Sequence, residues 1–223
     1  MAVTAPHIPS AKLWKTRQAK CLAVIEAALQ LLGKTTSLPT AEVDLNRTLY
    51  FCLLQAHRQL FPDDEIAPLS ECNNQPDPDD QARAIREQKR PDFQWIYLDR
   101  YEADPSRSSR AFVLECKRLG TPPRADWPLN INYLQHGIHR FRHEDWAYAK
   151  QAECGAMVGY VQSMDLVAIL SAVNAECGGD GLPNLNLAAS WMEGGTSKLD
   201  HSFERPFPVS PLTLYHFWVD LRP

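Results

Sequence analysis

Ala111-Phe112-Val113-Leu114-Glu115-Cys116-Lys117 is an apolar run closed by a carboxylate and an ammonium two residues apart. Its aromatic and β-branched content predicts a strand over Ala111–Arg118. Side chains alternate along a strand, so Glu115 and Lys117 share one face while Leu114 and Cys116 share the other. Charged groups at the end of an apolar strand are costly unless they are paired or solvated in a cleft. Upstream, Pro91-Asp92 runs directly into Phe93-Gln94-Trp95-Ile96-Tyr97-Leu98, which predicts a second strand over Phe93–Tyr101. The polar stretch Glu102–Arg110 joins the two as a hairpin. The start of one antiparallel strand lies beside the end of its partner, which brings Asp92 near Glu115.

Two carboxylates meeting at a point make a hard, oxygen-rich site suited to Mg²⁺ or Mn²⁺. The Cys116 main-chain carbonyl is a further oxygen ligand of the right kind. Lys117, on the same face as Glu115, is placed to orient or deprotonate a water, or to stabilise charge developing on a phosphate. The competing reading of the same residues is a surface salt bridge on an ordinary hairpin. A second Glu-x-Lys triplet, Glu87-Gln88-Lys89, lies in polar surroundings without a strand, so the triplet alone discriminates little.

Pro91-Asp92 followed by Glu115-Cys116-Lys117 at the end of an apolar strand resembles the PD-(D/E)XK nuclease superfamily, which includes restriction endonucleases, Holliday-junction resolvases and phage-defence nucleases. The resemblance spans roughly residues 40–162. It implies a restriction-endonuclease-like α/β fold: a mixed β-sheet core flanked by helices. It also implies Mg²⁺-dependent DNA endonuclease activity, with Mn²⁺ able to substitute, in the setting of a restriction or anti-phage defence effector. Asp92, Glu115 and Lys117 are then the catalytic group. Asp92, Glu115, Cys116 and Glu42, the last from the helix before the sheet, form the metal set. Arg90, Arg118 and Arg140 are the implied nucleic-acid contacts. The alternative from another class is a non-catalytic nuclease-fold scaffold or assembly subunit.

Around this centre the chain reads as one domain of 223 residues. An N-terminal helical pair is predicted at 11–32 and from near Thr40, as its cap, to Leu60. Residues 62–82, with Pro62, Pro68, Pro76 and Pro78, read as a long loop without a strand. Asn130 is the expected cap of a helix running to about Lys150, before a strand at Gly155–Gln162. Residues 163–223 read as a C-terminal αββ extension: a helix capped by Ser163, then strands at Leu185–Trp191 and Leu212–Leu221.

Composition narrows the setting. The net charge is −4, yet residues 83–124 carry ten Lys/Arg against six Asp/Glu. An acidic chain with one basic segment points to DNA affinity supplied partly by a protein partner or homo-oligomer, because phosphate contacts dominate such affinity. The six cysteines are dispersed without a C-x-x-C pair, which favours small hydrophobes in a reducing, cytoplasmic compartment. No glycine-rich phosphate loop is present, so no nucleotide cofactor is expected. No apolar stretch is long enough to span a membrane. His136, His139 and His143 fall near one helical face, but Arg140 and Arg142 among them oppose zinc, and a solvated face or phosphate contact is the simpler reading.

Overall fold

The computed structural model describes residues 10–207 and 209–223. Its elements run α1 (Ser10–Leu32), α2 (Glu42–Leu60), β1 (Leu69–Ser70), α3 (Arg83–Arg86), β2 (Phe93–Leu98) and β3 (Ser109–Leu119). Then follow α4 (Leu129–Tyr133), a π-helical turn (Leu134–Ile138), α5 (His139–Arg142), β4 (Cys154–Val161), α6 (Leu166–Gly179), β5 (Asn186–Leu187), β6 (Thr196–Phe203) and β7 (Leu212–Asp220). The strands form one mixed seven-stranded sheet in the order β1-β2-β3-β4-β7-β6-β5. The β3–β4 and β4–β7 pairs are parallel and the rest antiparallel.

Parallel strands need both faces covered, and β4 meets that requirement with all eight residues buried. One face packs on α1 and α2. Val24, Ile25, Ala28, Leu29 and Leu32 of α1, at helical spacing, join Leu45, Leu49 and Leu53 of α2 against Phe93, Trp95, Leu114, Cys116 and Val158. The other face packs on α4, the π-turn, α5 and α6, where Tyr133, Ile138, Phe141, Ile169 and Val173 meet Val113, Met157 and Trp218. The six cysteines are free, and five of them are buried. Among the described residues no helix is long and apolar enough to cross a membrane.

The structure departs from the sequence expectations in five places. A strand exists inside the proline-rich segment: β1 pairs with β2 through Leu69↔Gln94 and Ser70↔Phe93, too short to leave an alternating pattern. The helix expected to reach Lys150 stops at Arg142, and its cap is Pro128, because the Asn130 side chain accepts the Gly120 N–H instead (3.0 Å). Asp165, not Ser163, caps α6 by accepting from Val167 and Ala168 N–H, while the Ser163 hydroxyl accepts the Thr121 N–H. The expected αββ extension holds three strands and is built into the sheet, with β7 beside β4 in its interior. Similarly, no side chain caps α2 at Ala41; the Thr40 carbonyl instead accepts from Arg118 Nη1 and Gln162 Nε2.

Two buried histidines oppose folding at acid pH. His216 on β7 is fully buried with Nδ1 2.7 Å from the Tyr133 hydroxyl, and His201 on β6 lies against it, 1% exposed. Burial pulls His201 down to about 4 and His216 well below the ordinary histidine value. The unfolded chain therefore binds protons that the folded chain refuses, and stability falls as pH drops below the unfolded value. Between about pH 7 and pH 5 the expected loss is about 2 kcal/mol per imidazole. Urea unfolding at the two pH values tests this: relative to wild type, His201→Leu should lose about 2 kcal/mol less between pH 7 and pH 5. An unchanged difference in that variant would locate the acid sensitivity elsewhere.

Candidate active site at the open end of β3

The β2–β3 ladder ends at the pair Phe93↔Leu114, so on that side the stretch from Glu115 onward has no neighbouring strand. Unpaired main-chain groups in a buried strand are costly. Here side chains take the place of the missing strand. The Asp92 carboxylate accepts the Cys116 N–H (2.7 Å), and the Glu42 carboxylate accepts the Arg118 N–H (3.2 Å). The Lys117 ammonium donates to the Cys116 carbonyl (2.7 Å). Continuing the register by one residue sets Asp92 opposite Glu115, the arrangement that the hairpin reading requires.

Lys117 Nζ is the centre of the cluster. It lies 2.9 Å from Glu42 Oε1, 2.8 Å from Glu115 Oε1 and 3.9 Å from Asp92 Oδ2. Glu115 is completely buried and also pairs directly with the Arg140 guanidinium. Arg140 in turn lies over the Trp146 ring, 4.4 Å from its centroid, with Lys89 Nζ 4.2 Å from the same centroid. Glu42 enters from the first turn of α2, whereas Asp44 points outward to an exposed pair with Arg47.

The electrostatics follow from burial and crowding. Burial and then the Asp92 charge push Glu115 up to about 8, against the pull of Lys117 and Arg140. Burial likewise raises Asp92. Burial alone would lower Lys117, but Glu115, Asp92 and Glu42 more than offset it, so the ammonium is held charged. Three carboxyl groups this close are held together by cations among them or by protonation.

Among the described residues, no group of three or more His, Cys, Asp or Glu stands ready to hold a metal ion. The reason is local: Lys117 Nζ occupies the point on which the oxygens converge. Three carboxylates and a main-chain carbonyl thus surround one cation, the Lys117 ammonium, with oxygen donors of the kind that could hold a hard divalent ion. The buried Glu115 Oε2 has no hydrogen-bond partner, which leaves one more oxygen for such an ion.

The structure thus brings together Asp92, Glu115, Lys117, Glu42 and the Cys116 carbonyl, while the Cys116 side chain turns into the α1–α2 core. It treats the three expected nucleic-acid contacts differently. Arg90 is exposed beside Asn73 (3.1 Å), and Arg118 donates to the Thr40 carbonyl at the rim. The Arg140 guanidinium is turned inward onto Glu115. Trp146, which backs Arg140, escapes the sequence reading because nothing local ties it to the motif. Tyr133 is core, bonded to His216, and Gln135 is exposed. The histidines divide as well, His139 pairing with Asp180 while His136 stacks on Trp127. Comparison with protein-family models, with curated proteins and with solved structures gives no match.

Proposed function

We propose that this chain is a metal-dependent endodeoxyribonuclease of the PD-(D/E)XK type, with a restriction-endonuclease-like core. The observation that carries the reading is the convergence of three carboxylates and a strand carbonyl on a single cation position at the open end of a buried strand. Asp92, Glu115, Glu42 and the Cys116 carbonyl would hold Mg²⁺ or Mn²⁺. A divalent ion there supplies charge neutralisation for a phosphodiester and acidifies a bound water. Lys117, whose ammonium would give up that point to the ion, would stabilise the charge that builds on the scissile phosphate. Arg140, resting on Trp146, holds Glu115 in place and adds a second positive charge beside it.

The test is supercoiled plasmid incubated with Mg²⁺, Mn²⁺ or EDTA, comparing wild type with Glu115→Ala. Nicking or linearisation is expected with either metal and absent in EDTA and in the variant. Intact plasmid under every condition with the wild-type protein counts against the reading.

One observation favours a second reading, a non-catalytic scaffold subunit. Asp92 and Glu42 already perform a structural task by accepting strand N–H groups. Asp92→Asn and Glu42→Gln keep acceptor oxygens but remove charge. Both readings expect some loss of stability, whereas only the nuclease reading expects metal-dependent cleavage by the wild type and its loss in folded Asp92→Asn and Glu42→Gln proteins.

A further inference from the structure

The segment that leaves β3 immediately after Lys117 and Arg118 is tied down at both ends. Gly120 has φ +126°, and a Cβ there would stand 2.8 Å from the Ser163 carbonyl oxygen, so the chain passes against that residue as only glycine can. The Gly120 N–H donates to Asn130 and the Thr121 N–H to Ser163. Pro122-Pro123 stiffens the middle, and the Trp127 N–H closes a turn on the Arg124 carbonyl (3.0 Å). Every residue from Thr121 to Trp127 is exposed. At its end Trp127 stacks nearly parallel on His136, with centroids 5.7 Å apart and planes 9° from each other, and remains 42% exposed.

His136 belongs to the π-turn, a feature that recurs at functional sites. The next residue, Gly137, packs so closely that a Cβ would lie 3.4 Å from Lys117 Cγ. One helical turn beyond, Arg140 reaches Glu115. The Trp127–His136 pair therefore stands at the edge of the cation cluster, fixed by a short braced loop on one side and by the π-turn on the other.

We propose that this pair is a stacking platform for an unpaired base, and that the substrate is DNA with a single-stranded segment at the site, not continuous duplex. The inference rests on the nuclease reading for its reaction but not for its binding. Base pairs within a duplex offer no free π-face, whereas every unstacked base does, whatever its identity. A chain of net charge −4 has little electrostatic hold on a long duplex. A rigid, exposed aromatic surface beside the cluster supplies affinity that does not depend on charge.

The test is fluorescence anisotropy in EDTA with labelled single-stranded DNA and with a blunt duplex of the same sequence, using wild type, Trp127→Phe and Trp127→Ala. Single strands are expected to bind at least about 10-fold tighter than duplex, and Trp127→Ala should lose about 10-fold on single strands only. Trp127→Phe, which keeps an aromatic face, should recover most of the loss. Equal single-strand affinity in wild type and Trp127→Ala, or duplex bound as tightly as single strand, would overturn the proposal. Cleavage in Mg²⁺ separates the two readings. A wild-type protein that binds single strands through Trp127 but cuts nothing retains the platform and loses the nuclease. One that cuts duplex regardless of Trp127 retains the nuclease and loses the platform.

Discussion

On the proposed nuclease reading, replacing Lys117 with alanine is expected to lower Mg²⁺-dependent cleavage by about 10²–10³-fold, the usual cost of removing one preorganised charge from a transition state. The same substitution should have a second, separable effect. In the metal-free protein the ammonium is nearly buried among three carboxylates, so its loss leaves Glu115 with Arg140 as its remaining close cation. Breaking a buried ion pair costs about 3–5 kcal/mol. The metal-free variant should unfold at correspondingly lower urea, and millimolar Mg²⁺ or Mn²⁺ should restore much of the deficit, because a ligand that binds only the folded state stabilises it. Glu115→Ala behaves differently. It removes a ligand while Lys117 still meets Asp92 and Glu42, so activity and metal affinity fall together without rescue by metal. Titration calorimetry with Mn²⁺ beside the plasmid assay separates the two variants. A Lys117→Ala protein that cuts at the wild-type rate places the reaction elsewhere.

The largest effect on stability away from the cluster is expected at Arg205. Its side chain is 6% exposed and is satisfied by main-chain carbonyls. Nη1 donates to Phe141 and Tyr148, Nη2 to Ala149 (2.9 Å) and Ala152 (2.7 Å), and Nε to Val209 (2.9 Å). This guanidinium clamps the segment between α5 and β4, where Ala147 and Ala149 both have positive φ, of 49° and 53°. Each left-handed alanine costs roughly 1–2 kcal/mol. Burial lowers Arg205 only to about 10, so it stays charged at neutral pH. Arg205→Ala leaves several carbonyls without a donor and releases the strain, for an expected loss on the order of 3–5 kcal/mol. Ala149→Gly should move the opposite way by about 1 kcal/mol. Urea unfolding measures both. The clamped segment carries Trp146, so a folded Arg205 variant should also hold Arg140 less firmly on Glu115.

These residues show why some of the structure was legible and some was not. The Asp92–Glu115–Lys117 grouping follows from strand alternation and antiparallel pairing, both local rules that Phe93–Leu98 and Ser109–Leu119 obey. Glu42 was reached only through the family resemblance, which implies a glutamate from the helix before the sheet; helix geometry by itself left Asp44 as an alternative. The early stop at Arg142 was not legible. Residues 143–150 contain ordinary helix formers, and their carbonyls are met by a guanidinium some sixty positions later in the chain, which no local pattern announces. Strand β6 was missed because its inward positions include Ser197 and His201, which hide the apolar alternation that Leu199 and Phe203 alone cannot convey. The inward turn of Arg140 depends on the π-turn, and its hydrogen-bond register leaves no mark in composition.

The position of β7 beside β4 has a consequence for biosynthesis. Strand β4 is paired with β3 on one edge, and its other edge waits for a strand translated roughly fifty residues later. Chains lengthen at about 5–20 residues per second, so for several seconds the apolar edge Cys154–Val161 emerges from the ribosome without its neighbour. An unpaired apolar edge is a template for association with other chains. Hsp70-type holding factors should therefore engage nascent chains in that interval and let go once Leu212–Asp220 emerges and closes the sheet.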